Sequence, residues 1–194
     1  MAQAYFQLRN WSGAAESYAN VLTIYPNNQK SYRFASDLYH NKLFKFEEAF
    51  ALTQQWVIRN PDDLSAQSDS VEKHFTTGRF AECGQIIDGL LTKREIPVDT
   101  KFVVRAIAIA NSLALNRPAQ VPAKLADLIA EVSAQPVEFR VEWSFEGTKQ
   151  FIGQNETLSS CRAWLGKLFD ALACKDRETM LDALRQVKAS FKED

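Results

Sequence analysis

Asn10-Trp11-Ser12-Gly13-Ala14 opens a segment that Tyr25-Pro26-Asn27-Asn28 closes, and the same kind of segment recurs further along the chain. The second copy runs from Lys45-Phe46-Glu47-Glu48-Ala49 to Asn60-Pro61-Asp62-Asp63, and a third opens at Arg79-Phe80-Ala81-Glu82-Cys83. The aromatic residues that open the copies are separated by 46 − 11 = 35 and 80 − 46 = 34 residues. A period of about 34 residues is typical of paired helices that stack into a solenoid.

The apolar residues inside each copy recur at helical spacing. In the first copy Trp11, Ala14, Tyr18 and Leu22 form one apolar face, and Pro26 ends the helix because proline cannot continue the backbone hydrogen bonds. Similar faces follow Phe46 and Phe80, so each copy supplies the second helix of a pair. The first helices are predicted over residues 29–42 and 64–77, with Gly78 in the tight turn between two helices.

This pattern resembles the tetratricopeptide repeat over residues 1–97, most closely in the first two copies. The matching positions are the aromatics Trp11, Phe46 and Phe80, the alanines Ala14 and Ala49, the aromatic Tyr39, and the prolines Pro26 and Pro61. The resemblance implies an α-α superhelix that binds a protein or peptide partner in a concave groove. The first helix of each pair would line that groove.

The remainder of the chain is predicted to close the array. Helices over 99–115 and 123–134 form a divergent fourth pair, so the repeat array is expected to span 1–135. After Pro136, apolar residues alternate with polar ones from Val137 to Phe145, and Glu146-Gly147 follows as a credible turn. A small β-hairpin at 137–153 and two closing helices, the last capped by Asp176, are therefore predicted as a C-terminal subdomain over 136–194.

Composition excludes several classes of function. With 23 basic and 24 acidic residues, the whole chain has no field that favours nucleic acid or an anionic membrane. The three cysteines are few and lack metal-ligand spacing, which favours a reducing compartment, so we expect a cytoplasmic location. Neither a signal peptide nor a membrane span is apparent. The short leading helix of the first pair favours an excised piece of a longer protein.

Sites for catalysis, cofactors and metals are not expected. Cys83 replaces a small packing residue and His74 an aromatic one, so their nearness in sequence favours packing over a nucleophile–base pair. The two histidines have no close carboxylate or thiol set for a metal ion, and the scattered glycines make no phosphate loop. The sequence thus predicts a protein that is not an enzyme.

Recognition of a partner is the remaining function, and the groove is its expected place. Seven outward positions of the first helices are predicted to bind a partner: Lys30, Arg33, Asp37, His40, Asn41, Gln67 and Glu72. They could hydrogen-bond an extended peptide. A grip on a partner's C-terminal carboxylate is not expected, because Asp69 stands where a basic residue would be needed.

We therefore expect a non-catalytic protein–protein interaction module, an adaptor, scaffold or regulatory segment. Two alternatives stay open at this point. One is self-association through the hairpin edge or an exposed first helix, and the other is a regulatory region attached to an enzyme domain outside this chain.

Overall fold

Helices joined by tight turns make up the part of the chain that the computed structural model describes, residues 2–93 and 96–191. The first eight are Ala2–Gln7 (α1), Trp11–Ile24 (α2), Gln29–Asp37 (α3), Phe46–Arg59 (α4), Leu64–Thr76 (α5), Phe80–Leu91 (α6), Val98–Ala114 (α7) and Val121–Ser133 (α8). Each of them packs against the next along the chain. The mainly α class predicted from the sequence is confirmed.

The turn inside each pair contains one residue in the left-handed backbone region, two positions before the next helical segment begins. These residues are Arg9 (φ 55°), Phe44 (φ 54°), Gly78 (φ 74°) and Asn116 (φ 55°). Such a residue lets the following N–H group bond back to the last turn of the helix. Three of these bonds join Asn10 to Tyr5 at 2.9 Å, Arg79 to His74 at 2.9 Å and Arg117 to Ser112 at 2.8 Å. Shared turn geometry therefore underlies the repeat.

The second pair contains one residue more than the third, and a π turn accommodates it. From the N-cap of the first helix to the left-handed residue, the second pair spans 44 − 28 = 16 positions and the third 78 − 63 = 15. The extra residue lies in the π turn Leu38–Lys42, where the Leu43 N–H donates to the Leu38 carbonyl at 3.0 Å. This turn explains why the first interval of the repeat is 35 residues rather than 34.

The turns between pairs follow the predicted chemistry of proline and Asn or Asp. Asn28 caps α3 by accepting a hydrogen bond from the Ser31 N–H at 2.9 Å, and Asp63 caps α5 by accepting one from the Ala66 N–H at 3.0 Å. Each cap satisfies a backbone donor that the first turn of a helix leaves free. The two inter-pair turns are therefore equivalent.

The predicted hairpin at 137–153 is wrong. Residues 139–145 belong to no helix and pair with no strand among the described residues, and Glu146–Gln154 form a helix, α9. The side chains of residues 140–144 alternate between exposed and at least half-buried, as in an extended chain, so we call 139–145 the extended segment. The alternating pattern arises because one side of the extended segment packs on helices instead of on a second strand. The Phe139 ring lies 4.9 Å from that of Phe102 and the Phe145 ring 5.0 Å from that of Phe169.

The two closing helices predicted from the sequence are present. Glu156–Leu158 is a 3-10 turn, and it is followed by Arg162–Leu172 (α10) and Arg177–Ala189 (α11). The Asp176 carboxylate accepts from the Thr179 N–H at 2.9 Å, so its predicted capping role is confirmed. One hydrophobic core joins α5–α8 to α9–α11, whereas two smaller clusters stabilise α1–α4.

The positive φ of Gly78 yields a test with a matched control. No atom lies within 4 Å of a Cβ built at Gly78 or at Gly89, but only Gly78 is left-handed. We expect Gly78→Ala to lower the free energy of unfolding by roughly 1–2 kcal/mol. Gly89→Ala, inside α6, should raise it by roughly 0.5–1 kcal/mol. Urea unfolding measures both, and changes of equal sign would contradict the assigned turn.

Candidate functional site

A cleft of about 230 Å³ opens between α3 with the π turn that follows it, α5 and the extended segment 139–145. Its walls come from three parts of the chain that are distant in sequence. They comprise Tyr32, Arg33, Ser36, Asp37 and Asn41, then Asp63, Ser65, Ala66, Asp69, Glu72 and Lys73, and finally Glu142, Trp143 and Ser144. Most of the lining residues are polar or charged, so donors and acceptors are available in the cleft beside apolar surface.

Two of the seven predicted binding residues stand at the mouth of the cleft with exposed side chains, Arg33 and Asp37. Lys30 is also exposed on α3, but its ammonium lies 6.0 Å above the Phe34 ring beside the cleft. Gln67 is half-buried, and its side-chain oxygen accepts a hydrogen bond from Lys93 at 2.8 Å. Of the predicted binding residues, Arg33 and Asp37 are therefore the ones that a ligand could contact at the mouth of the cleft.

The outward orientation expected for His40, Asn41 and Glu72 is wrong, because all three side chains are buried. The π turn rotates His40 and Asn41 away from solvent, and the extended segment with α9 covers Glu72. Asn41 still contributes to the cleft wall, and its amide donates to the Asp37 carboxylate at 2.8 Å. These residues support the cleft from beneath.

The floor of the cleft is a buried charge cluster on α5. The Lys73 ammonium lies 2.6 Å from the Asp69 carboxylate and 3.2 Å from the Glu72 carboxylate. The side chains of Lys73 and Glu72 are 2% and 0% exposed, and that of Asp69 is 15% exposed. Buried charges are costly unless they are paired and fully hydrogen-bonded, so the surroundings of both carboxylates decide whether the cluster is tolerated.

Asp69 receives donors from three helices. The Tyr32 hydroxyl donates to Oδ2 at 2.7 Å, the Ser36 hydroxyl at 3.1 Å and the Thr53 hydroxyl at 3.3 Å. With Lys73 on Oδ1, the carboxylate ties α3, α4 and α5 together. Charge-assisted hydrogen bonds of this kind are stronger than neutral ones.

Besides Lys73, Glu72 receives donors from the C-terminal part of the chain. The Trp143 indole N–H donates to Oε2 at 3.2 Å, and the Thr148 hydroxyl donates to Oε1. Trp143 belongs to the extended segment and Thr148 to α9. The carboxylate therefore fastens that region to the middle of the array.

The π turn meets α9 at very short range. The Gly147 N–H donates to the Asn41 side-chain oxygen at 2.9 Å, and the same oxygen lies 3.1 Å from Nδ1 of His40. A Cβ at Gly147 would come within 2.5 Å of the His40 ring and 2.6 Å of its carbonyl oxygen. Only glycine fits here, so Gly147 serves close packing rather than the predicted turn.

The cluster sets the charge state of its own members. Burial by itself would raise the pKa of Asp69, but Lys73 and the Tyr32 hydroxyl outweigh it and hold the pKa below its ordinary value. Burial would lower the pKa of Lys73, yet the two carboxylates raise it. The pKa of His40 falls to about 4, first because of burial and then because of Lys73. At neutral pH the Asp69 carboxyl is therefore ionised, the Lys73 ammonium keeps its proton and the His40 imidazole is neutral.

Reactive chemistry has little support in this arrangement. Burial raises the pKa of the Cys83 thiol to about 12, and its Sγ donates to the Val71 carbonyl at 3.4 Å. Nδ1 of His74 lies 2.7 Å from the Ser70 carbonyl oxygen instead of near that thiol. The Cys83 thiol therefore keeps its proton at neutral pH and is a poor nucleophile.

The described residues contain neither a recognisable metal site nor a membrane-spanning helix. No group of three or more His, Cys, Asp or Glu side chains in residues 2–93 and 96–191 is arranged to bind a metal ion. Over the same ranges, no helix has both the length and the hydropathy that a membrane span requires.

Comparison with family models, curated proteins and solved structures found no match to this chain. Its function is therefore inferred from its own residues and geometry.

Sequence reasoning missed the central residues of the site, Lys73, Trp143 and Thr148, and gave Asp69 only a minor role. One signal was present: α5 carries polar residues at helical spacing, Asp69, Glu72, Lys73 and Thr76, where a fully apolar face would be usual. Trp143 and Thr148 could not be linked to this stripe without the fold, because they lie more than seventy residues away, at separations of 71 and 76 residues from Glu72.

Lys73→Met tests the charge cluster. Removing the ammonium leaves two buried carboxylates without their cation, so we expect the free energy of unfolding to fall by roughly 3–5 kcal/mol. Adding Glu72→Gln should recover part of this loss, because one uncompensated charge is removed. Lys167→Met, at an exposed position of α10, is the control and should change stability by less than about 0.5 kcal/mol. Chemical unfolding that cannot distinguish Lys73→Met from the control would refute the cluster.

His40 predicts a loss of stability in mild acid. Its folded-state pKa of about 4 lies below the ordinary 6.5, so the unfolded chain binds the proton first. The contribution is complete above pH 6.5 and is lost as the pH falls toward 4, by about 3 kcal/mol in all. Asp69, whose pKa is also lowered, adds its loss only below the ordinary aspartate value of 3.8.

Urea unfolding at pH 7 and pH 4.5 should therefore show a smaller difference in His40→Gln than in the wild type. The pKa of His74 is lowered too, so His74→Gln is the comparison that leaves the contribution of His40 in place. An unchanged pH dependence in His40→Gln would rule out the buried neutral imidazole.

Proposed function

We propose that this chain is a non-catalytic protein–protein interaction module that holds an extended segment of a partner protein in the cleft between α3, α5 and residues 142–144. The observation that carries the proposal is an open cleft whose floor is buried and internally paired. Because Asp69 and Glu72 are already satisfied by side chains of this chain, the floor need not rearrange when a ligand binds. Preorganisation of this kind reduces the cost of binding.

The mouth of the cleft supports recognition of a polypeptide. Arg33 and Asp37 are exposed, lie four residues apart on α3 and carry opposite charges. The Arg33 guanidinium makes one long contact, 3.5 Å to the Ser65 hydroxyl, which leaves most of its donors for a ligand. A peptide backbone offers donors and acceptors in alternation, which suits such a mixed lining.

The repeat supports the same proposal. The first helices of two successive pairs, α3 and α5, line the cleft, as they would line the groove of the tetratricopeptide arrays that the sequence resembles. A role as adaptor, scaffold or regulatory segment of a larger protein or assembly follows from that resemblance. The free thiols of Cys83, Cys161 and Cys174 fit a reducing compartment such as the cytoplasm.

Self-association is a second candidate with its own observation. The hairpin edge that the sequence suggested for self-association is absent from the described residues. However, apolar side chains are exposed on the first helix pair and on the turn that follows it. Leu8, Ile24 and Tyr25 are 78%, 71% and 64% exposed. Sedimentation of the wild type beside Leu8→Ser/Ile24→Ser separates the cases, since a dimer lost in the variant would favour self-association.

Arg33→Glu tests the cleft as the binding site. Peptides selected on the wild-type protein from a displayed random dodecapeptide library should bind this variant about tenfold more weakly, because a charged donor is replaced by an acceptor. Fluorescence polarisation with labelled peptides measures the dissociation constants.

Arg185→Glu makes the same change of charge on the exposed side of α11 and should bind like the wild type. If the library yields no specific peptide, or if both variants bind equally well, the cleft is not the binding site.

A further inference from the structure

An unpaired stretch of extended backbone borders the cleft. From Arg140 to Ser144, neither the N–H nor the C=O groups have a hydrogen-bond partner among the residues that the structure describes. The next main-chain bonds on either side are from the Phe139 N–H to the Pro136 carbonyl and from the Lys149 N–H to the Phe145 carbonyl. Edges of this kind are places where a further strand can pair.

This stretch is fixed in place, unlike an ordinary surface loop. Val141 is 8% exposed within the main core, and the Trp143 indole is bonded to the buried Glu72. Arg140, Glu142 and Ser144 alternate with them and are exposed. Burial of every second side chain is the pattern of an extended chain, in which the backbone polar groups lie to the sides of the side-chain rows.

The edge and the cleft adjoin each other. Glu142, Trp143 and Ser144 form one wall of the cleft, opposite Arg33 and Asp37 of α3. A peptide lying in the cleft would therefore have an extended main chain along one side.

The charge of the lining indicates which side chain such a peptide would bring. Five lining residues are acidic, Asp37, Asp63, Asp69, Glu72 and Glu142, and two are basic, Arg33 and Lys73. Lys73 is already engaged by Asp69 and Glu72. The exposed Asp37 at the mouth is therefore left to attract a cation.

We propose that an extended partner peptide adds to the backbone edge at 140–144 by main-chain hydrogen bonds and places a lysine or arginine side chain in the cleft near Asp37. This inference rests on the proposed function and specifies its mode of binding. Main-chain pairing supplies affinity in such additions, while pockets for alternate side chains supply specificity. In the complex, residues 140–144 and the peptide would form a two-stranded pair beside the helices.

Amide hydrogen exchange tests the pairing. The probe is the tightest peptide selected from the random dodecapeptide library on the wild-type protein, and exchange at 140–144 is measured by NMR with and without it. Neighbouring amides of an extended chain point to opposite edges. We expect either the amides of 140, 142 and 144 or those of 141 and 143 to slow by at least about tenfold, because the peptide covers one edge.

Asp37→Asn tests the charge. It keeps an oxygen that can accept from Asn41 but removes the negative charge, so the basic peptide should bind about tenfold more weakly. Asp182→Asn, on the exposed side of α11, is the matched control and should not change binding. A peptide whose lysine or arginine is replaced by glutamine should bind the wild type and Asp37→Asn equally.

The outcomes separate the two proposals. If selected peptides bind and Arg33→Glu weakens them, but the amides at 140–144 exchange as fast as before, main-chain addition is wrong and the groove function survives. The same conclusion follows if the peptide releases Trp143 from Glu72, seen as a shift of the indole N–H resonance, because the segment is then displaced. If no peptide is selected, both proposals fall.

Discussion

The Lys73 ammonium, held between Asp69 and Glu72 beneath the surface of α5, is the interaction on which the rest of the structure depends. Each carboxylate also accepts from another part of the chain: Asp69 from α3 and α4, and Glu72 from the extended segment and α9. Because a buried charge must be matched, the fold is held to the one arrangement that supplies every donor. The cluster thus fixes the cleft walls relative to one another.

The irregular features of the chain meet at this cluster. The π turn absorbs the one residue by which the second pair exceeds the third, and it carries His40 and Asn41 inward. Gly147 then allows α9 to approach the turn more closely than any side chain would permit. The π turn, Gly147 and the extended segment 139–145 thus act together. They produce a groove in which part of the space is occupied by the extended segment. Such departures from regular geometry often occur at functional sites.

Much of the site was hidden from sequence reasoning for a physical reason. The stripe of Asp69, Glu72 and Lys73 indicated something other than ordinary core, but the seven residues chosen for binding came from helical positions alone. Arg33 and Asp37 do lie at the cleft, since an exposed position near the middle of a first helix faces the groove. His40, Asn41 and Glu72 do not face solvent, because their burial depends on α9 and on a segment whose partner no local pattern reveals.

The sequence by itself determined the helices of the repeat array, their pairing and their turns, because capping residues, prolines and apolar spacing act over a few positions. It did not reveal α9. It did indicate that residues 139–145 present one apolar face, although not as a strand of the predicted hairpin. Only the tertiary structure decided what that face packs on. A segment with alternating apolar residues can pair with a strand or pack on helices, depending on which surface is available. Here Phe139 packs on Phe102 of α7, and Trp143 donates a hydrogen bond to the buried Glu72 of α5.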